Sequence, residues 1–325
     1  MLVLNLIEAV TNALDVSMEK DDAIIVYGED VGFEGGVFRA TKGLQEKYGV
    51  TRCFDSILAE SSIIGSGIGM AINGLKPVVE MQFSGFVFPG MNQIITHAAR
   101  MRNRSRGLYT VPMVIRMPYG GGVRALEHHS ESLEAIFAHT AGLKVVIPST
   151  PYDAKGLLIA AINDPDPVIF LEPKRIYRAF KQEVPDGIYE IPIGKAKVVK
   201  EGTDLTVVAW GAVMRDVEKA IEPLEKEGKS IELIDLRTIS PIDKETILKS
   251  VKKTGRFVVV HEAARSFGPG AELISIVNEG AFLYLEAPPT RITSLDIIVP
   301  LPKGEHHYVP SISEITATLK DVLAY

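Results

Sequence analysis

The chain has 325 residues, with 35 Lys and Arg against 41 Asp and Glu, a net charge of −6. At about 150 residues per domain that length suits two domains, and the acidic balance argues against a dedicated nucleic-acid binder, which carries a basic surplus. A single cysteine, Cys53, excludes an internal disulfide framework and any multi-cysteine metal cluster, and no stretch reaches the ~20 apolar residues of a membrane span, so the expected setting is the cytoplasm, with no membrane partner.

Residues 5–18 are expected to form an amphipathic helix, because Leu6, Ala9, Val10, Ala13 and Leu14 recur near helical spacing. Residues 23–27 (AIIVY) are a short apolar run that stops at Gly28, as a buried strand does. Glycines are frequent up to Gly43, which marks a loop region. Helix is then expected over 61–73, strand over 77–81, helix over 91–101 and strand over 112–117. Helix over 131–138, strand over 143–148, helix over 153–162 and strand over 168–171 follow. Pro185, Asp186, Gly187, Pro192 and Gly194 interrupt the alternation. It resumes with strands at 205–209, 230–235 and 256–260 and helices at 214–227, 243–251 and 271–278. Apolar strands alternating with helices give parallel sheets covered on both faces. The expectation is therefore two three-layer α/β domains, residues 1–185 and 201–325, joined by a linker over 186–200.

Candidate chemistry lies mostly in the first half. Gly65, Gly67 and Gly69 (GSGIG) suggest a dinucleotide fingerprint, but that motif needs a preceding strand and a wider final spacing. Close packing of a helix on its neighbour explains them better. Glu60 opens the same helix, where a carboxylate either complements the helix dipole or is held for hydrogen bonding to a ligand; the residues alone leave both open. His128 and His129 follow the glycine loop YGGGV at 119–123. Adjacent histidines lack the i, i+4 spacing of a two-histidine metal site on a helix, so they are either a cleft rim or surface residues. NDPDP at 163–167 is either ordinary turn chemistry or an oxygen-rich site for a hard cation. Cys53 has no Cys-x-x-Cys partner and reads as a buried inert thiol. His306 and His307 read as loop residues.

Taken together, five ordered stretches resemble a known family over nearly the whole chain. They are YGEDVG (27–32), RCFDSILAESSIIGSGIGMAINGLKPVVEMQF (52–83), HHSESLEAIFAHTAGLKVVIPSTPYDAKGLL (128–158), IPIGKAKVVKEGTDLTVVAWG (191–211) and RTISPID (237–243). The chain resembles the beta subunit of a two-subunit, thiamine-diphosphate-dependent 2-oxo acid dehydrogenase, the decarboxylating first component of the pyruvate and branched-chain 2-oxo acid dehydrogenase complexes. The resemblance implies a transketolase-type pyrimidine-binding domain followed by a transketolase C-terminal domain. It places Glu60 against a ring nitrogen of the cofactor's aminopyrimidine, favouring the imino tautomer that can deprotonate the thiazolium carbon. Leu58 and Gln82 would contact the pyrimidine, and Phe86 would supply a stacking face. His129, rather than His128, would lie beside the reacting carbons and relay protons during acyl transfer. Met113, Ala161, Ile162, Asp164 and Asp166 would supply oxygens to a potassium ion, although relatives often carry an amide where Asp166 stands.

The family holds Mg²⁺ and the cofactor's diphosphate through a Gly-Asp-Gly segment, and no such segment occurs here. The resemblance therefore implies that the Mg²⁺ ligands lie on an alpha subunit, in an α2β2 assembly, and that this chain is enzymatically active only with that partner. It also implies docking of a lipoyl-bearing acyltransferase core around Glu286 and Tyr325. The segment EMQFSGFVFP (80–89) resembles branched-chain enzymes more than many pyruvate ones, which implies a lean toward branched-chain 2-oxo acids. The competing expectations are half of another thiamine-diphosphate enzyme, of transketolase or deoxyxylulose-phosphate-synthase type, and a non-catalytic α/β scaffold. Sugar-phosphate chemistry would want a basic cluster, for which Arg100, Arg102, Arg104 and Arg106 are the candidates.

Overall fold

A computed structural model describes every residue from Met1 to Tyr325. The first region runs β1 (Leu2–Leu4), α1 (Leu6–Lys20), β2 (Ile24–Gly28), α2 (Leu44–Tyr48), β3 (Cys53–Asp55), α3 (Glu60–Ile72) and β4 (Lys76–Glu80). It continues through α4 (Met101–Arg104), β5 (Val114–Tyr119), α5 (Glu134–Ala138), β6 (Lys144–Val146), α6 (Pro151–Ile162), β7 (Val168–Pro173) and β8 (Gln182–Val184). The second region runs β9 (Lys197–Lys200), β10 (Leu205–Ala209), α7 (Val213–Lys226), β11 (Ile231–Asp235), β12 (Thr238–Ser240) and α8 (Lys244–Thr254). It ends with β13 (Phe257–Ala264), α9 (Pro269–Ala281), β14 (Thr290–Ser294) and α10 (Ile312–Leu323).

The first sheet has the order β12-β6-β7-β5-β4-β2-β3. All its pairings are parallel except that of β12 with β6. β2, β5 and β7 are buried at every residue, as strands covered on both faces must be. The second sheet, β14-β13-β10-β11-β9, is parallel apart from its edge strand β9. β12 comes from the second region, so the two halves share a sheet. They also share a core: one apolar cluster runs from Tyr27 and Met113 through Leu133 and Ile147 to Trp210 and Phe257.

Local chemistry explains the helix ends. Asn5 caps α1, accepting from the Glu8 amide while Glu8 returns a bond to the Asn5 amide. Thr150 caps α6, with Pro151 at its first turn. The helix expected over 91–101 is irregular. A 3₁₀ segment, Ser84–Gly90, leads into a π turn, Gln93–His97, and a further 3₁₀ turn, Ala98–Arg100, before α4. β1, α2, β3, β8, β9, β12, β14 and α10 lie outside the expected elements. No helix is long and apolar enough to cross a membrane.

Candidate active site

In a parallel sheet every strand ends on the same edge, and ligands bind beyond those carboxyl ends. The candidate residues follow four such ends. Glu29 and Asp30 follow β2, Leu58 and Glu60 follow β3, Gln82 and Phe86 follow β4, and His129 follows β5.

Glu60 is the first residue of α3, whose N-cap residue, Ala59, offers no side-chain cap. Its position suits the helix dipole, yet Glu29 and Asp30 crowd it with like charge. Burial first, then the Glu60 and Asp30 charges, push the Glu29 carboxyl above its ordinary pKa. Gln82 Nε2 donates to Asp30 Oδ2 at 3.0 Å. Leu58 is 80% exposed and its neighbour Ile57 72%, an apolar rim on a charged site.

His129 sits in a 3₁₀ turn, Glu127–His129, against aromatic edges. Its ring lies 4.5 Å from Phe83 and 5.0 Å from Phe86, both edge-on. Its Nδ1 is buried and has no hydrogen-bond partner. The 3₁₀ segment Ser84–Gly90 joins the two halves of the site. Its Phe86 touches His129, and its Gly90 packs so closely on α3 that a Cβ would lie 3.2 Å from the Glu60 carbonyl. Phe83 belongs to this aromatic wall although nothing in its sequence context singled it out. Burial leaves a buried polar atom costly unless a partner arrives. The unpartnered His129 nitrogen among aromatic faces therefore leaves a buried polar atom for a ligand to satisfy.

Of the GSGIG glycines, Gly67 serves close packing. A Cβ on Gly67 would meet Met113 Cε at 2.7 Å and the Tyr27 hydroxyl at 3.1 Å, while Gly69 faces open space. Cys53 is buried and burial pushes its thiol up to about 12, so it is inert.

The cation candidates lie on the opposite, amino edge of the sheet. Asp164 and Asp166 precede β7, and Met113 precedes β5. Lys144 Nζ donates to both Asp164 oxygens, at 2.7 and 2.6 Å, and Arg102 Nε donates to Asp166 Oδ1 at 2.6 Å. The Met113 carbonyl accepts from the Val168 amide at 2.9 Å and the Ala161 carbonyl from the Asp164 amide at 3.3 Å. In this structure both carboxylates are paired with basic side chains and both carbonyls accept backbone hydrogen bonds. In the second region, Glu286 pairs with Arg256 at 2.7 Å and Tyr325 is 73% exposed.

Residues 3–179 match the family model described as the transketolase pyrimidine binding domain, and residues 194–315 match the transketolase C-terminal domain. The chain is 67% identical, over 98% of both chains, to the pyruvate dehydrogenase E1 component subunit beta of Acholeplasma laidlawii. It belongs to the pyruvate dehydrogenase E1 beta-subunit family. Its relatives include the same subunit of Mycoplasma genitalium, 59% identical over 93% of each chain, and of Bacillus subtilis, 48% identical over the full length of both. Among solved structures it resembles a split-gene transketolase described as an inactive beta4 tetramer, with a TM-score of 0.79 and 20% identity over 99% of each chain. That likeness shows the fold.

Proposed function

We propose that this chain is the beta half of a two-subunit enzyme that decarboxylates pyruvate with thiamine diphosphate and passes the acyl group to a lipoyl carrier. The observation that carries the reading is the buried, unpartnered Nδ1 of His129 on the same sheet edge as Glu60, in a chain 67% identical to a pyruvate dehydrogenase beta subunit. Bound thiamine diphosphate supplies a stabilised carbanion and an electron sink for decarboxylation. Glu60 holds a proton at the aminopyrimidine nitrogen, Gln82 and Leu58 position that ring, and Phe86 offers it a stacking face. His129 orients the reacting carbons and relays protons during acyl transfer.

The chain lacks a Gly-Asp-Gly segment, so Mg²⁺ and the diphosphate are assigned to an alpha subunit in an α2β2 assembly. Phe33, Ile57 and Leu58, at 84%, 72% and 80% exposure, form the apolar rim that such a partner would cover. The surface near Glu286 and Tyr325 is assigned to a lipoyl acyltransferase. A potassium ion is assigned to oxygens of Met113, Ala161, Ile162, Asp164 and Asp166, the two carboxylates exchanging their Lys144 and Arg102 partners for it.

The expected lean toward branched-chain acids gains no support, since the relatives named above are pyruvate enzymes. The sugar-phosphate alternative gains no support from those relatives either, and Arg102 of its basic cluster serves Asp166 on the far edge of the sheet. Kinetics of the reconstituted α–β enzyme on pyruvate, branched-chain 2-oxo acids and sugar phosphates test the reading. Pyruvate is expected to give the highest kcat/KM, and the beta chain alone is expected to give no turnover. Decarboxylation by the isolated chain, or preference for a sugar phosphate, would overturn it.

A further inference from the structure

Two glutamates of the second region reach into the first beside the loop that leads to His129. Glu262 lies on β13, Glu305 opens a 3₁₀ turn, Glu305–His307, and both are buried at 4% exposure. The Gly121 amide donates to Glu262 Oε1 and the Gly122 amide to Glu305 Oε1. Lys174 and Arg175, just beyond β7, bring positive charge to the same place. The Lys174 ammonium is buried with no hydrogen-bond partner; burial lowers its pKa to about 8, against the pull of the Glu262 and Glu305 charges. Arg175 also pairs with Asp216 of α7 at 2.5 Å. Carboxylates of one region thus sit among amides and cations of the other.

The glycine loop is shaped to this fit. Gly120 and Gly122 have φ of +78° and +97°, which disfavour any side chain. A Cβ on Gly120 would lie 2.8 Å from Glu262 Oε1, and one on Gly121 3.0 Å from Glu305 Oε1.

The same loop holds the backbone that follows His129. The Glu131 carbonyl accepts from the Gly120 amide at 3.0 Å and from the Ser84 hydroxyl at 2.8 Å. Ser84 opens the segment that carries Phe86. The Glu131 carbonyl is therefore a junction between glycine loop and aromatic wall, two residues beyond His129. The histidine ring makes aromatic contacts but no polar one at Nδ1. Its placement must come from those faces and from the backbone.

We infer that Glu262 and Glu305 are positioning residues for His129: the second region sets the catalytic histidine through the Gly120–Gly122 loop. The inference rests on the role given to His129 above. It is tested in the assembled α–β enzyme with Glu262→Ala and Glu305→Ala, and with the Gln variants, which keep an acceptor oxygen. Hydrogen exchange across residues 120–132 is expected to rise at least about tenfold in the Ala variants, as a locally opened segment does. The kcat for lipoyl acylation is expected to fall at least about tenfold while KM for the 2-oxo acid moves less than about twofold, as misplacement of a reacting group does. The Gln variants are expected to restore most of both. Gly121→Ala, which presses on Glu305 without removing a charge, is expected to act in the same direction should an Ala variant fail to fold. Unchanged exchange at 120–132 overturns the inference, as does loosened exchange with unchanged kcat. Full activity in His129→Ala would instead overturn the role of the histidine, while the exchange data would still decide whether the glutamates order the loop.

Discussion

The two edges of the first sheet carry similar residues and treat them in opposite ways. At the amino edge, Asp164 and Asp166 each meet a basic side chain, and Asn163 donates to Glu190 at 2.7 Å. At the carboxyl edge, Glu29, Asp30 and Glu60 gather with one sign of charge, and the buried Nδ1 of His129 has no partner. Ion pairs and one turn hydrogen bond satisfy the carboxylates of the first edge. The helix dipole accounts for Glu60, but folding gives no reason for the buried His129 nitrogen, because buried polar groups are costly unless bonded. A carboxylate motif therefore says little by itself; what separates a ligand site from a turn is which polar groups the fold leaves unsatisfied.

The sharpest way to break this comparison is to substitute both edges in the assembled enzyme. Glu60→Gln and His129→Ala are expected to lower activity at least about 100-fold, the range of general acid–base groups, with stability changed by less than about 0.5 kcal/mol. Asp164→Asn is expected to leave turnover within about twofold, as a surface pair worth at most about 1 kcal/mol would. Equal activity loss from both edges would erase the distinction.

A third kind of charge, buried and fully paired, supports the site edge from below. Arg116 on β5 lies between Glu80 of β4 at 2.8 Å and Glu172 of β7 at 2.7 Å, and the Tyr177 hydroxyl donates to Glu172 at 2.6 Å. Glu80 ends the strand that delivers Gln82 and Phe83. Arg116→Met leaves two buried carboxylates facing each other and is expected to cost about 3–5 kcal/mol in urea unfolding. A loss under about 1 kcal/mol would show that the network contributes nothing to the edge it underlies.

The strands of the first sheet were legible because β2, β4, β5 and β7 are apolar runs, and burial on both faces demands that pattern. The three-residue strands β1, β3, β8 and β12 were not, since three residues carry no period, whereas the equally short β6 lies in the longer apolar run 143–148. α10 had a readable start, the Ser311 and Glu314 capping box, with Ile315, Leu319 and Val322 buried behind it. Within the site, Glu60 and His129 could be singled out, but only the family resemblance separated each from its surface alternative. Phe83 looks like any aromatic in an apolar run. The bonds from Gly121 to Glu262 and from Gly122 to Glu305 span 141 and 183 residues, so no local pattern announces them.

Glu134 sharpens the comparison at the carboxyl edge through pH. Burial, with the Glu262 charge adding to it, raises its carboxyl from 4.5 to about 7, and its Oε2 has no partner. A folded pKa above the unfolded one contributes stability that is complete below about 4.5 and is lost as pH rises through about 7. Glu134→Gln keeps an acceptor for the Trp210 indole, which donates to Glu134 Oε1 at 3.4 Å, and cannot ionise. Between pH 5 and 8 the natural protein is expected to lose about 2.5 kcal/mol relative to this variant, at about 1.4 kcal/mol per pKa unit. Denaturant midpoints at the two pH values check it; parallel pH profiles would mean that the carboxyl is ionised throughout and already satisfied.

The smallest effect belongs to the amino edge. Arg102 and Asp166 are 47% and 25% exposed, so their ion pair is worth at most about 1 kcal/mol. Asp166→Ala should therefore lower stability by no more than that in NaCl. It should also abolish any extra protection from melting that KCl gives over NaCl, because the proposed ion takes this carboxylate in exchange for Arg102. The amino edge would then be a ligand site whose satisfied appearance is only its metal-free arrangement. If potassium protects the natural protein and Asp166→Ala leaves that protection unchanged, the carboxylate stays with its guanidinium and is not the ligand that distinguishes the two ions.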